Sequence, residues 1–375
     1  MFEPRIFLSA GEASGDLHGA ALVQALRQLY PDAELLGLAG PRMAQAGVRP
    51  VVEFERLVVM GFAEVVSRLP FFLSLRQRVG RMLAEKPPDL LIPIDYPGFN
   101  MWLSKVAHRR GIPVLYYIAP QVWAWRQERA RTLAETTDRV AVVFPQEEPF
   151  LQNYGVAALF VGHPLLDRMA GWRGRDEAIS RLGADPHRPI LGVLPGSRPQ
   201  EVRRHLAPFL EVARHVLKHN PQVQVVVSGA SNVPSRLYSS AADYRVISDS
   251  GSVLSAATAV LSKSGTTTIE ATLRGTPLVI AHRVHPLTYL LARRLVRVDS
   301  IGMVNLLADQ VIVPEFVQEL PPERIARELL VLLDASSPKR ASMVEALSEV
   351  RKKLGQPGAS GRVAGLAMEL LDGQR

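Results

Sequence analysis

The chain has 375 residues, 47% hydrophobic and 21% charged, a balance that suits a globular protein with two domains and large cores. It contains no cysteine, which excludes disulfides and thiolate metal sites. The net charge of +8 points to anionic partners, but the 44 basic residues are dispersed and no zinc-finger, RNA-recognition or basic-zipper pattern occurs, so nucleic acid is disfavoured.

The N-terminus has no basic segment followed by a long apolar run, and no stretch approaches the roughly 20 apolar residues of a membrane span. A cytosolic protein, free or resting on a membrane surface, is expected.

Short apolar strands alternate with amphipathic helices nearly throughout. The first strand, Arg5–Ala10, runs into Gly11-Glu12-Ala13-Ser14-Gly15-Asp16 and then a helix toward Tyr30. A glycine turn between strand and helix lets a ligand approach the backbone closely. It is not the dinucleotide fingerprint, because the spacing differs and Glu12 would repel a pyrophosphate. A carboxylate there suits hydroxyl binding or proton transfer. The structural alternative is a tight turn with Asp16 as an ordinary helix-start residue.

After a strand at Glu34–Leu38, the segment Leu57–Leu83 interrupts the alternation. It combines Val58, Met60, Phe62, Val66, Phe71 and Phe72 with Arg68, Arg76, Arg78 and Arg81. Apolar groups edged by arginine suit a lipid-chain pocket or an interfacial helix; core helices with basic outer faces fit equally.

The strand Leu90–Asp95 ends in Ile94-Asp95-Tyr96-Pro97-Gly98-Phe99-Asn100. Asp95 then faces the region beyond the strand's carboxyl end, where open α/β sheets bind ligands, and partial burial there would make it a better base. A turn or cap residue before Pro97 is the competing account. The strand Val114–Ile118 leads to a loop carrying Trp123 and Trp125, two of the four tryptophans, which could line a sugar or acyl site or simply fill a core. Strands at Arg139–Phe144 and Leu159–Gly162 follow, and the alternation breaks within His163–Asp176.

The second half repeats the scheme with Ile190–Leu194, Val223–Ser228, Arg245–Ile247, Ala259–Ser262, Leu278–Ala281 and Val311–Val313. Leu194-Pro195-Gly196-Ser197-Arg198 closes its first strand. Gly196 permits the turn, Ser197 offers a donor and Arg198 can fork onto a diphosphate. Ser264-Gly265-Thr266 follows a later strand and opens a short helix, again a start that favours anions. Glu270 lies near that start, placed for a ribose hydroxyl pair, although Thr267-x-x-Glu270 also reads as a capping box. Gly275 and Pro277 stop the helix. Asn305 is unremarkable by itself. Helical patterns near Pro322–Leu333, Lys339–Lys353 and Gly361–Leu371 close the chain. No Asp-x-Asp, His-Glu-x-x-His or Walker A pattern occurs, so neither a metal nor a cofactor is expected and a phosphate leaving group would rest on helix starts and basic side chains.

Taken in order, AGEASGD, IDYPGFN, PQVWAWR, LPGSR, SKSGTTTIEATLRGTPLV and MVNLLA resemble the lipid-A-disaccharide synthase family, over most of the chain. The resemblance implies a GT-B fold: two Rossmann-like α/β domains with parallel sheets facing a central cleft. They are expected at 1–168 and 169–357, with a final helix at 358–373 free to pack back on the first.

It also implies inverting transfer from UDP-2,3-diacylglucosamine to 2,3-diacylglucosamine 1-phosphate, giving a β-1,6 disaccharide and UDP. By motif, Asp95 is the leading base and Glu12 the second carboxylate. Ser14, Gly15, Asn100 and Trp123 fall on the acceptor side. Gly196, Ser197, Arg198, Ser264, Gly265, Thr266, Glu270 and Asn305 fall on the UDP side. Gly98 departs from the family, which often carries a second acid there. The family's peripheral attachment to the inner face of the cytoplasmic membrane favours a lipid role for Val58, Met60, Phe62, Val66, Phe71, Phe72 and Arg76; a homodimer is left open. A UDP-sugar epimerase or hydrolase on the same scaffold is the rival enzyme, and a nucleotide- or nucleic-acid-binding module the rival outside catalysis.

Overall fold

A computed structural model describes residues 3–57, 68–123, 127–284 and 300–373. The chain divides into two compact units, Met1–Asp167 with Leu354–Arg375, and Arg168–Lys353.

In the first unit, β1 (Arg5–Ala10), α1 (Ala13–Leu29), β2 (Glu34–Leu38), α2 (Pro41–Gln45) and β3 (Arg49–Pro50) precede α3 (Leu69–Glu85). Then come β4 (Leu90–Ile94), α4 (Pro97–His108), β5 (Leu115–Tyr117), α5 (Arg129–Thr136), β6 (Arg139–Val142), α6 (Glu147–Gln152) and β7 (Ala158–Phe160). The seven strands form one parallel sheet in the order β3-β2-β1-β4-β5-β6-β7. β4, Leu-Leu-Ile-Pro-Ile, is buried at every position, as a strand covered on both faces must be.

The helix α3 buries Leu75, Val79 and Leu83, one stripe at i, i+4, i+8, against Phe7, Leu36, Leu91 and Leu103. Strand order reverses between β1 and β4, the topological switch point of a doubly wound sheet.

The second unit holds α7 (Arg175–Leu182), β8 (Ile190–Leu194), α8 (Pro199–His219), β9 (Gln224–Ser228), β10 (Arg245–Ile247), α9 (Ser250–Ala256) and β11 (Ala259–Ser262). It continues with α10 (Thr266–Arg274), β12 (Leu278–His282), α11 (Met303–Ala308), β13 (Glu315–Val317), α12 (Pro322–Leu333) and α13 (Pro338–Lys353). Its parallel sheet runs β10-β9-β8-β11-β12-β13, so its switch point lies between β8 and β11.

The last helix, α14 (Ala359–Asp372), belongs to the first unit and packs along α1. Asp167 anchors it, because its carboxylate accepts from the amides of Gly358, Ala359 (3.2 Å) and Ser360 (3.1 Å) at the helix start.

Several expected strand bounds shift, Leu159–Gly162 to Ala158–Phe160 among them, and two of the corrections have a side-chain cause. Val311–Val313 is not a strand: the Asn305 amide oxygen takes the N–H groups of Ile312 and Val313, both at 2.9 Å, and the strand forms at Glu315–Val317. The strand from Arg139 stops at Val142, short of Phe144, because Glu147 Oε2 accepts from the amides of Val143 (3.3 Å) and Phe144 (3.1 Å).

Candidate active site

The switch point of the first unit brings the Glu12 turn and Asp95 to neighbouring strand ends, since Ala10 pairs with Ile94. Gly11 is required by a close approach: a Cβ there would stand 2.4 Å from the Tyr96 ring. Tyr96 is held in that place by its hydroxyl, which donates to the Leu57 carbonyl at 3.0 Å. Burial, then the nearby Glu12 carboxylate, push the Tyr96 phenol up to about 12.

Asp95 and Tyr96 both have positive φ, 50° and 52°, a pair of left-handed residues with no glycine between them. Such strain costs of order 1–3 kcal/mol per residue and persists where the surroundings over-determine the backbone. Here the Asp95 N–H donates to the Tyr117 carbonyl at 3.0 Å, and the Asp95 carbonyl accepts from Asn100 Nδ2 at 2.7 Å.

Asn100, expected on the acceptor side, is fully buried and needs correction. Its amide nitrogen also donates to Ser9 O at 3.0 Å, and its oxygen accepts from Ser9 Oγ at 2.6 Å, so both ends serve the fold. Gly15 is likewise a packing residue: a Cβ there would meet Ala10 Cβ at 3.3 Å and Ile94 O at 3.5 Å. Ser14 is half-buried on the first turn of α1. Asp16 is buried in a structural role, its carboxylate accepting from the amides of Arg42 and Met43 at 3.0 Å and so starting α2.

Trp123 is half-buried and its indole N–H donates to Glu147 Oε1 at 3.3 Å. Burial pushes Glu147 up to about 8, against hydrogen bonds from Phe144, Trp123 and Val143, while Asp95 adds to the rise. Sequence reasoning missed Glu147, whose only signal was an acid just after a strand.

Of the expected lipid segment, Leu57 and residues 68–83 are described; Val58, Met60, Phe62 and Val66 lie outside the described residues. Phe71 and Phe72 are half-buried against the core, with Arg56 over the Phe71 ring at 4.7 Å. Arg76 stacks on Trp102 at 5.2 Å. Among the described residues of this segment, the exposed large apolar side chains are Leu69 and Leu73, one helical turn apart.

At the switch point of the second unit, the turn after β8 lies beside the turn after β11, and Lys263 N–H donates to Leu194 O at 3.1 Å. Glu201 joins them. Its Oε2 accepts from Ser197 N at 2.9 Å and Arg198 N at 3.3 Å, while Oε1 pairs with Lys263 Nζ at 3.0 Å. Gly196, at φ 132°, accommodates this, since a Cβ there would lie 2.5 Å from Glu201 Cβ.

The amides of this turn are thus occupied by the protein's own carboxylate, contrary to the expectation of ligand-binding amides. What the turn leaves exposed is the Ser197 hydroxyl and the Arg198 guanidinium, 42% exposed and 4.0 Å from Glu201.

The start of α10 differs. Gly265, at φ 153°, precedes a helix of nine residues whose first two amides, of Thr266 and Thr267, have no acceptor within the helix and receive no side-chain cap, while the Thr268 amide donates to Gly265 O at 2.9 Å. Thr266 is its first residue, and the Thr268 hydroxyl donates to Gly265 O at 2.7 Å. Thr267-x-x-Glu270 is therefore not a capping box, because the cap position is Gly265. Ser264 donates to Ile301 O at 3.1 Å.

Glu270 is 19% exposed and 3.7 Å from Arg274, which stacks on Trp172 at 3.5 Å. Burial raises its carboxyl, while Arg274 and Arg168 oppose the rise. Asn305, expected beside UDP, is buried and saturated: besides the two amides it accepts, it donates to Val313 O at 2.8 Å and Glu315 Oε1 at 2.6 Å.

Comparison with known proteins decides the family. A sequence model described as Lipid-A-disaccharide synthetase matches residues 6–364. The chain belongs to that family. It is 44% identical to the lipid-A-disaccharide synthase of Geobacter sulfurreducens, over 99% of this chain and 98% of that one. It is 38% identical to that of Myxococcus xanthus, over 98% of each.

Among solved structures it is similar to an S. aureus MnaA–UDP complex (TM-score 0.67, 13% identity, 98% and 97% covered). It is also similar to the calicheamicin glycosyltransferase CalG4 (TM-score 0.60, 14% identity, both chains covered in full). At these identities the likeness concerns the fold, which is GT-B. The chain is a glycosyltransferase of lipid A biosynthesis.

Proposed function

We propose that the protein transfers the sugar of UDP-2,3-diacylglucosamine to 2,3-diacylglucosamine 1-phosphate, giving the β-1,6 disaccharide 1-phosphate and UDP with inversion. Asp95 takes the proton of the acceptor 6-hydroxyl as that oxygen attacks the anomeric carbon. The bond to UDP breaks on the opposite face and UDP leaves with the electron pair. The observation carrying this reading is the strained, multiply hydrogen-bonded backbone at Asp95, at the switch point where a ligand-facing carboxylate is expected. Glu12, on the adjoining turn, is the second carboxylate, with Ser14 and Trp123 beside the acceptor.

On the donor side, the open amides of Gly265 and Thr266 with Arg198 hold the diphosphate, Ser197 and Ser264 flank it, and Glu270 meets the ribose. The acyl chains, and the inner face of the cytoplasmic membrane, meet Leu69 and Leu73 on α3, a helix that also exposes Arg78 and Arg81. No helix among the described residues is long and apolar enough to cross a membrane.

The test is UDP release by purified protein given both substrates in detergent micelles. Release should require the acceptor, and Asp95→Asn should abolish it with UDP affinity kept. Acceptor-independent release would favour an epimerase or hydrolase, and full activity in Asp95→Asn would move the base, with Glu12 next.

A further inference from the structure

We propose that Tyr116 is a positioning residue for Asp95, setting the direction of the carboxylate through the Asp95 backbone carbonyl. The proposal rests on the reading of Asp95 as the base. Tyr116 lies on β5, the strand beside β4, and is fully buried. Its hydroxyl donates to the Asp95 carbonyl at 2.9 Å, alongside Asn100 at 2.7 Å.

That carbonyl belongs to the peptide joining Asp95 to Tyr96, the two consecutive residues at φ 50° and 52°. Rotation of this peptide changes the backbone angles on either side of it, and with them the direction in which the Asp95 side chain leaves the strand end. Two donors from different elements, α4 and β5, converge on one oxygen. This is the over-determination that keeps a strained backbone from relaxing.

The two donors differ in what else they hold. Asn100 also bonds Ser9 and the Ile94 carbonyl (3.3 Å), so its loss would disturb β1 and β4 together. The Tyr116 hydroxyl bonds Asp95. A buried hydroxyl is costly unless bonded, and phenylalanine would fill the same space without that demand. Burial, then the Asp95 charge, also hold the Tyr116 phenol well above its ordinary pKa, so it stays a donor at any working pH.

Tyr116→Phe removes the donor and keeps the ring. Turnover should fall about tenfold to a hundredfold, the scale of a misplaced catalytic group, with KM for both substrates within about twofold of wild type. A merely structural tyrosine would instead lower Tm and leave the turnover of the folded enzyme unchanged.

Should the phenylalanine variant not fold, p-aminophenylalanine and p-methylphenylalanine at position 116 match in size and differ in the donor. The amino form should keep turnover within a few-fold of wild type and the methyl form should lose it. Unimpaired turnover in Tyr116→Phe beside an inactive Asp95→Asn overturns the proposal alone, as do equal rates for the two analogues. Wild-type turnover in Asp95→Asn overturns the reading of the base and the proposal with it.

Discussion

Glu201→Gln isolates the contact that ties the two turns of the second unit together. The carboxylate bonds two amides and Lys263, and the side chains of the pair are only 18% and 17% exposed. Removing one partner of a buried ion pair costs about 3–5 kcal/mol because the other charge is left uncompensated. Glutamine keeps an oxygen for one amide and the pair retains some water, so a loss of about 2–3 kcal/mol is expected. For a unit of this size each kcal/mol moves Tm by about 2–4 °C, giving a shift of about 4–12 °C.

The effect should depend on pH. Burial would raise the Glu201 carboxyl, but Lys263 and the amide of Ser197 outweigh it and hold the folded pKa below 4.5. Between the two values the unfolded chain binds more protons, so the contribution is full above about pH 4.5 and disappears as pH falls through the folded value. Calorimetry of the intact chain should show the largest gap between wild type and Glu201→Gln at pH 7, closing at pH values below the folded one. Equal Tm at pH 7, or a gap unchanged in acid, would refute the reasoning.

Glu270→Gln should weaken UDP binding about tenfold, the loss of a charge-assisted hydrogen bond, and leave binding of 2′,3′-dideoxy-UDP unaltered. Isothermal titration with both ligands measures this, and a parallel loss would take Glu270 off the ribose. Leu73→Glu places a charge on the exposed apolar turn of α3 and should reduce flotation with anionic phospholipid vesicles several-fold, with solution turnover in detergent retained. Unchanged flotation would move the membrane contact elsewhere.

The strand–turn–helix units at β1, β4, β8 and β11 were legible because each couples a short apolar run to glycine or proline within a few residues. The roles of polar residues inside those turns were less so, and the reason is distance along the chain. Asn100 bonds Ser9 across 91 residues, and Glu201 bonds Lys263 across 62. No local pattern shows which polar group will be claimed by the fold before a ligand arrives.

An asparagine in a motif has two donors and an acceptor to satisfy, and a buried backbone turn offers matching groups at once. Asn100 and Asn305 are both taken this way. The result reaches function indirectly in the first case, because Asn100 pins the Asp95 carbonyl, and in the second because Asn305 with Glu315 shapes the turn from Ile301 that receives the Ser264 hydroxyl.

Helix starts show the same competition with opposite outcomes. Both α8 and α10 follow glycine turns at one switch point, and sequence alone gives them equal claim to a phosphate. Arg198 heads a helix whose third residue, Glu201, turns back onto the amides, so that site is filled from within. Thr268, third in α10, instead turns both its amide (2.9 Å) and its hydroxyl to the Gly265 carbonyl and leaves the amides before it without a side-chain cap. Of the two starts, the chemistry of one side chain three residues in makes α10 the better seat for a diphosphate.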